Sequence, residues 1–182
     1  MNLLLLAPDE IRDDGTALLT GRRHEHARAV LRVQAGERLR VGVRGGKVGT
    51  GEVLSEGAEG LLLRLTLDAE PPARAGVSLV LAMPRPKALR RVIPAVASLG
   101  VDRVVLVNAA RVEKSYFDSK VLAPAFVDGL IDLGLEQARD TRPPLIEVRE
   151  RFRPFVEDAR RLDRRLGAPH APPAGARAGA AG

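Results

Sequence analysis

Cations dominate the residues that could do chemistry. From Arg22 to Lys47 eight basic residues stand against two acidic ones, and from Arg74 to Lys120 nine stand against three, in a chain of 182 residues with net charge +6. Two basic segments suit a polyanion, whose phosphates attract Lys and Arg through a field reaching about 10 Å at ordinary salt. His24 and His26 are two residues apart, so on a helix their rings point in different directions and do not chelate one metal. No Ser or Asp constellation accompanies them for nucleophilic catalysis, and polar surface or RNA contact is the better reading. Gly45, Gly46, Gly49 and Gly51 lack phosphate-loop spacing, and a hairpin explains them. Asp128, Asp132 and Glu136 recur at i, i+4 and i+8, which makes at best a weak cation site; a solvated helix face is expected. Zero Cys removes disulfides, thiolate metal sites and thiol nucleophiles, and fits a reducing cytoplasmic setting. No metal is expected, and no catalytic residue can be assigned.

A second set of cations is placed by sequence order. Arg85, Lys87, Arg90 and Arg91 follow an apolar strand-like run, Arg111 and Lys114 follow another, and Gln137, Arg139 and Arg142 precede a third. Open α/β sheets bind ligands at strand C-terminal ends, the end at which Arg85, Lys87, Arg90 and Arg91 fall. Tyr116 and Phe117 lie close to Lys114 and could stack on a base, although anchoring a loop is at least as good a reading.

The elements that must hold these groups fall into two rhythms. Between Asn2 and Leu67 short apolar stretches alternate with Gly and Asp turns, the pattern of a small, mostly antiparallel barrel or sandwich. One helix interrupts it at Arg22 to Leu31, with Ala27, Val30 and Leu31 on an apolar face and Arg28 and Arg32 on another side. Strands at Leu39 to Val43 and Val48 to Leu54 flank Arg44-Gly45-Gly46-Lys47, and Leu61 to Leu67 is a further strand. Glu70 to Gly76, with Pro71-Pro72, is the linker candidate.

After it, Val77 to Ala82 and Arg103 to Val107 read as buried strands and Leu145 to Val148 as a third. A helix with Leu89, Val92, Ile93, Val96 and Leu99 at helical spacing lies between the first two, kinked or restarted at Pro94 and ended by Gly100. A longer helix, from about Ser119 to Arg139, would bury Leu122, Phe126, Leu130 and Leu133, and a final one spans Pro154 to Leu166. Alternation of strand and helix predicts an α/β unit with a parallel sheet. The Ala/Gly/Pro-rich tail, Gly167 to Gly182, is expected to be disordered. The start lacks signal-peptide features and no apolar run reaches membrane-spanning length, so a protein without membrane contact is expected.

Three stretches carry a family resemblance. GRRHEHARAVLRVQAGERLRV (Gly21 to Val41), LAMPRPKALRRVIPAVASLGVDRVVLVNAARVEKSYF (Leu81 to Phe117) and GLEQARDTRPPLIEV (Gly134 to Val148) resemble, in order, the signatures of the 16S ribosomal RNA uridine (ring nitrogen 3) methyltransferases of the knotted SPOUT class. The resemblance implies a PUA-like RNA-binding barrel over residues 1–72 and a SPOUT methyltransferase domain, N-terminal part only, over 77–166. It implies S-adenosylmethionine as cofactor, 16S rRNA or the small subunit as partner, and a homodimer. Carried over by motif, Arg22, Arg23, His26, Arg28 and Arg32 become RNA-binding candidates, and Lys87, Arg111, Lys114, Gln137 and Arg142 line the substrate side. The family continues with a Gly-Pro-Glu-Gly-Gly loop and with Leu-Gly-x-Arg, Leu-Arg and Glu-Thr-Ala motifs that form the knot and hold the cofactor. None occurs here, so no cofactor-binding residue is identifiable, and a frameshift or early stop in a GC-rich gene is the expectation. The alternative function is a non-catalytic ribosomal RNA-binding protein.

Overall fold

Alternating strands with one apolar face must bury that face, and the first third of the chain does so by curling. The computed structural model describes residues 3–74 and 76–157. Strands β1 (Leu4–Leu6), β2 (Thr16–Leu19), β3 (Arg38–Val43), β4 (Val48–Gly57) and β5 (Gly60–Ala69) form one sheet in the order β1-β3-β4-β5-β2. β1 runs parallel to β3 and the other pairs are antiparallel. The expected barrel is thus a curled half-barrel with β1 and β2 at its edges. Its core holds Leu4, Leu6, Leu19, Val41, Val53, Leu61 and Leu63, the inward members of the period-two pattern. The Arg44–Lys47 hairpin forms as expected, with Gly45 at φ +77°. β4 also bulges between Val48 and Thr50. There a Cβ on Gly49 would fall 1.9 Å from the Thr66 carbonyl oxygen, so only glycine fits.

The helix expected at Arg22 to Leu31 is shorter and wider. Helix α1 (Gly21–His26) opens into a π turn over Ala27–Leu31, and Arg32 ends it in the left-handed region at φ 51°. Ala27 is buried as expected. Residues 70–74 and 76–77 have no regular structure on the way to the second sheet. Arg74 pins them, donating to the Asp102 side chain (3.1 Å) and to the Pro143 carbonyl (2.7 Å).

Strands β6 (Ser78–Ala82), β7 (Arg103–Val107) and β8 (Leu145–Arg149) form the expected parallel sheet, in the order β6-β7-β8. Helices α2 (Pro86–Ser98) and α3 (Pro124–Ala138) pack on one another over Leu79, Leu81, Val104, Leu106 and Ile146. Three expectations change here. The run at Val77 to Ala82 is not a fully buried strand: Val77 and Val80 are about half exposed, because β6 is an edge and only β7 lies between neighbours. The last helix of this sheet begins at Pro124 rather than Ser119, since Ser119 caps a separate 3-10 turn and proline has no N–H to continue one. Its buried stripe is Ile131, Gly134 and Leu135, while Phe126 and Leu133 are exposed. Gly134 sets that rotation: a Cβ there would lie 2.3 Å from the Pro94 carbonyl oxygen, so α2 and α3 cross backbone to backbone at this point. Pro94 sits inside a single assigned helix, and Gly100 follows at φ +70°. Residues 152–157 are helical, two residues earlier than expected; the rest of that helix and the Ala/Gly/Pro tail lie outside the described residues.

β1 joins the two halves. Leu4 and Leu6 belong to the half-barrel core, whereas Leu3 and Leu5, on its opposite face, pack with Ile93, Ile131 and Leu135.

Candidate nucleic-acid interface

Which arginines can meet an anion depends on which already hold one. Arg44, in the β3–β4 turn, donates to Asp132 (2.8 Å) and Asp128 (2.6 Å) on α3, and Arg22 approaches Glu136 at 3.4 Å. Alongside, Thr141 is fully buried against the same turn: it hydrogen-bonds the Gly46 carbonyl, and its own carbonyl accepts from the Gly45 N–H. The acidic stripe read as a solvated face is therefore a seam, because, of three carboxylates one turn apart, two face the Arg44 guanidinium of the β3–β4 turn and the third faces Arg22 of α1. A cavity of about 180 Å³ lies in it, lined by Glu10, Arg22, Arg23, Arg44, Asp132 and Glu136 with Leu5, Leu6 and Ala7. Burial pushes the Glu136 carboxyl above the usual carboxylate range, outweighing the pull of Arg22. At Arg44 the partners prevail instead: burial would lower it, but Asp132 and Asp128 hold its pKa above the ordinary value.

The first candidate set divides. Arg23 is committed to the fold, paired with Glu10 and donating to the Leu5 carbonyl. Burial would raise Glu10, yet Arg23 and the Ala7 N–H hold it below the usual range. Arg22 keeps an exposed side chain while touching Glu136. His24 is buried with Nε2 3.0 Å from Glu56, and His26 has a buried Nε2 without a hydrogen-bond partner. Arg28 and Arg32 are exposed with no carboxylate partner among the described residues, and they are the members of this set left for phosphates.

The second set is split by sheet polarity. Lys87 follows β6, and Arg111 and Lys114 follow β7; all three are exposed at the C-terminal ends of the strands and have no carboxylate partner among the described residues. Gln137 and Arg142 precede β8, at the opposite ends. Five parallel residues separate the two levels by roughly 15 Å, so the structure does not bring these five residues to one side. Arg142 lies beside Asp140 at 3.6 Å, and its Nε and Nη2 are buried without hydrogen bonds. Tyr116 and Phe117 pack against the core, the anchoring alternative, and the Tyr116 hydroxyl donates to Glu113.

A larger groove, about 330 Å³, runs between α3 and β8, lined by Leu122, Pro124, Val127, Ile131, Pro143, Pro144, Leu145, Ile146 and Val148. Its charged members are Arg44 and Asp128, which neutralise each other. No group of three or more metal-ligating side chains occurs among the described residues. No helix among them is long and apolar enough to cross a membrane.

The half-barrel, with cations that have no carboxylate partner among the described residues, is joined to a parallel sheet whose strand ends carry more of them. The family model for the RNA methyltransferase domain matches residues 71–171, more than half of the chain, and the chain belongs to that family. It is 35% identical over 159 residues to ribosomal RNA small subunit methyltransferase E of Treponema pallidum, covering 85% of this chain and 59% of that protein. The fold matches a probable rRNA-methyltransferase from Porphyromonas gingivalis with TM-score 0.66 at 19% identity, covering 86% of this chain and 63% of that one. It also matches ribosomal RNA small subunit methyltransferase E from Neisseria gonorrhoeae, solved bound to S-adenosyl methionine, with TM-score 0.60 at 19% identity, over 81% of this chain and 61% of that one. The chain thus spans about three fifths of the length of these proteins.

Proposed function

We propose that this chain is the RNA-holding part of a methyltransferase that modifies a uridine of small-subunit (16S) ribosomal RNA at ring nitrogen 3, with S-adenosylmethionine as methyl donor. The observation that carries the reading is the 35% identity over 159 residues to a ribosomal RNA small subunit methyltransferase, a match too long to be confined to one sheet. The half-barrel fits a PUA-like module over residues 1–72, and the parallel sheet fits the start of a SPOUT domain over 77–166. Exposed Val80, Leu145 and Val148 on that sheet support a homodimer.

Two tasks fall to the described residues. Arg28 and Arg32 hold phosphates, which the half-barrel presents without competing carboxylates. Lys87, Arg111 and Lys114, at the strand ends, favour the deprotonated uridine ring nitrogen, because a nearby cation stabilises the anion left when the proton departs. The larger groove described above does not fit the methyl donor. The groove between α3 and β8 is apolar and its one charged pair is internally neutralised, leaving nothing for an amino-acid zwitterion or a ribose. That misfit favours a second reading, a non-catalytic ribosomal RNA-binding protein.

Calorimetric titration of S-adenosylmethionine into the purified 182-residue chain separates them. Saturable one-to-one heat, followed by transfer of labelled methyl to small-subunit RNA, is the outcome of the first reading. No heat from a folded chain that retains 16S RNA leaves the second.

A further inference from the structure

All three acids of α3 face the seam, where Asp128 and Asp132 hold Arg44 and Glu136 holds Arg22. α2 contains no acid at all. What α2 and its N-terminal cap turn outward is therefore basic: Arg85, Lys87, Arg90 and Arg91 are all exposed, and the short turn carrying exposed Lys120 packs beside α2. Lys87 and Arg91 are one helical turn apart and share a face.

Phe126 stands in this field. Aromatic residues are scarce here, four Phe and one Tyr, yet Phe126 is 37% exposed, and the Arg90 guanidinium lies over its ring, 4.8 Å from the centroid. Arg90 has no carboxylate partner among the described residues, so its outer face is open. The surface continues uncrowded one turn further along α3, where a Cβ on exposed Gly129 would meet nothing within 4 Å. A guanidinium held flat by an aromatic ring offers a π-face and a charge together, which is what an unpaired base next to its phosphate requires.

We propose that the Arg90–Phe126 pair is a stacking platform for an unpaired base of the RNA substrate, with Lys87 and Arg91 engaging the flanking phosphates. The inference rests on the RNA reading above and deepens it: the ridge takes a single-stranded segment, because bases inside a duplex have no face to offer.

The test is fluorescence anisotropy of a fluorescein-labelled single-stranded oligouridylate against the full chain, over a salt series, beside filter retention of 16S RNA. Replacing Phe126 with Leu keeps an apolar side chain but removes the ring, and it should weaken oligouridylate binding roughly tenfold with the salt slope unchanged. Phe126→Tyr should bind as the parent chain does. Arg91→Ala should reduce the salt slope by about one phosphate contact. Oligouridylate affinity unchanged in Phe126→Leu, with a parent chain that binds both RNAs, overturns the platform and leaves the proposed function standing. A parent chain that binds neither RNA overturns both.

Discussion

Glu136 and Glu147 are carboxylates of one chain whose surroundings push them in opposite directions. Hydrogen bonds from Arg103 (2.7 Å) and Arg149 (2.9 Å) hold Glu147 below the usual range, so its contribution to stability is present above the ordinary carboxylate pKa and is lost as pH falls through the lowered value. Glu136 is raised by burial, so the unfolded chain releases that proton first and stability declines as pH rises from the ordinary value through the raised one. The two glutamine variants should therefore differ in sign at pH 7. Glu147→Gln should cost about 1–2 kcal/mol, whereas Glu136→Gln should be neutral or stabilise by up to about 1 kcal/mol. Urea midpoints at pH 7 and pH 4 check both, and a Glu136→Gln variant as destabilised as Glu147→Gln would contradict the assignment. Arg28, Arg32, Lys87, Arg111 and Lys114 became candidate RNA contacts through the family resemblance laid over the basic segments, and among the described residues the structure leaves them without a carboxylate partner. Arg23 was not separable from them, because its partner Glu10 lies across a strand and a turn that sequence spacing does not connect.

Among elements, the parallel strands and the β3–β4 hairpin were readable, the first from apolar runs and the second from Gly45-Gly46. The orientation of α3 was not. Its apolar residues nearly encircle it, so periodicity left several faces open, and the deciding residue is Gly134, which contributes by being small. Adding a methyl at Gly134 places it inside contact distance of the Pro94 carbonyl oxygen and of Ala97. Gly134→Ala should cost about 1–3 kcal/mol through forced separation of α2 and α3, despite the better helix propensity of alanine. Thermal unfolding measures this, and a Gly134→Ala variant as stable as the parent would mean that the helices can move apart without loss. The acidic stripe was visible as a pattern but not as a seam, since its partners are 84, 88 and 114 residues away in the chain.

For the whole molecule, β1 matters more than its three residues suggest. One face completes the half-barrel and the other, with Leu3 and Leu5, belongs to the core under α2 and α3, while Arg44 and Thr141 close the seam beside it. Heating should accordingly give one calorimetric transition. Leu5→Ala should lower it by about 2–5 kcal/mol without resolving it into two, and two separated transitions in the parent chain would show the halves to be independent. The same strand bears on how the chain is made. Synthesis delivers β1 first, and all strands of its sheet exist once Ala69 has emerged, but Leu3 and Leu5 stay wet until Ile131 and Leu135 follow. At about 5–20 residues per second that delay is roughly three to thirteen seconds, during which an apolar strand edge stands at the mouth of the ribosomal tunnel. A nascent chain of this design is a client for whatever shields such edges, and its half-barrel matures only on the arrival of a helix that lies far downstream of its last strand.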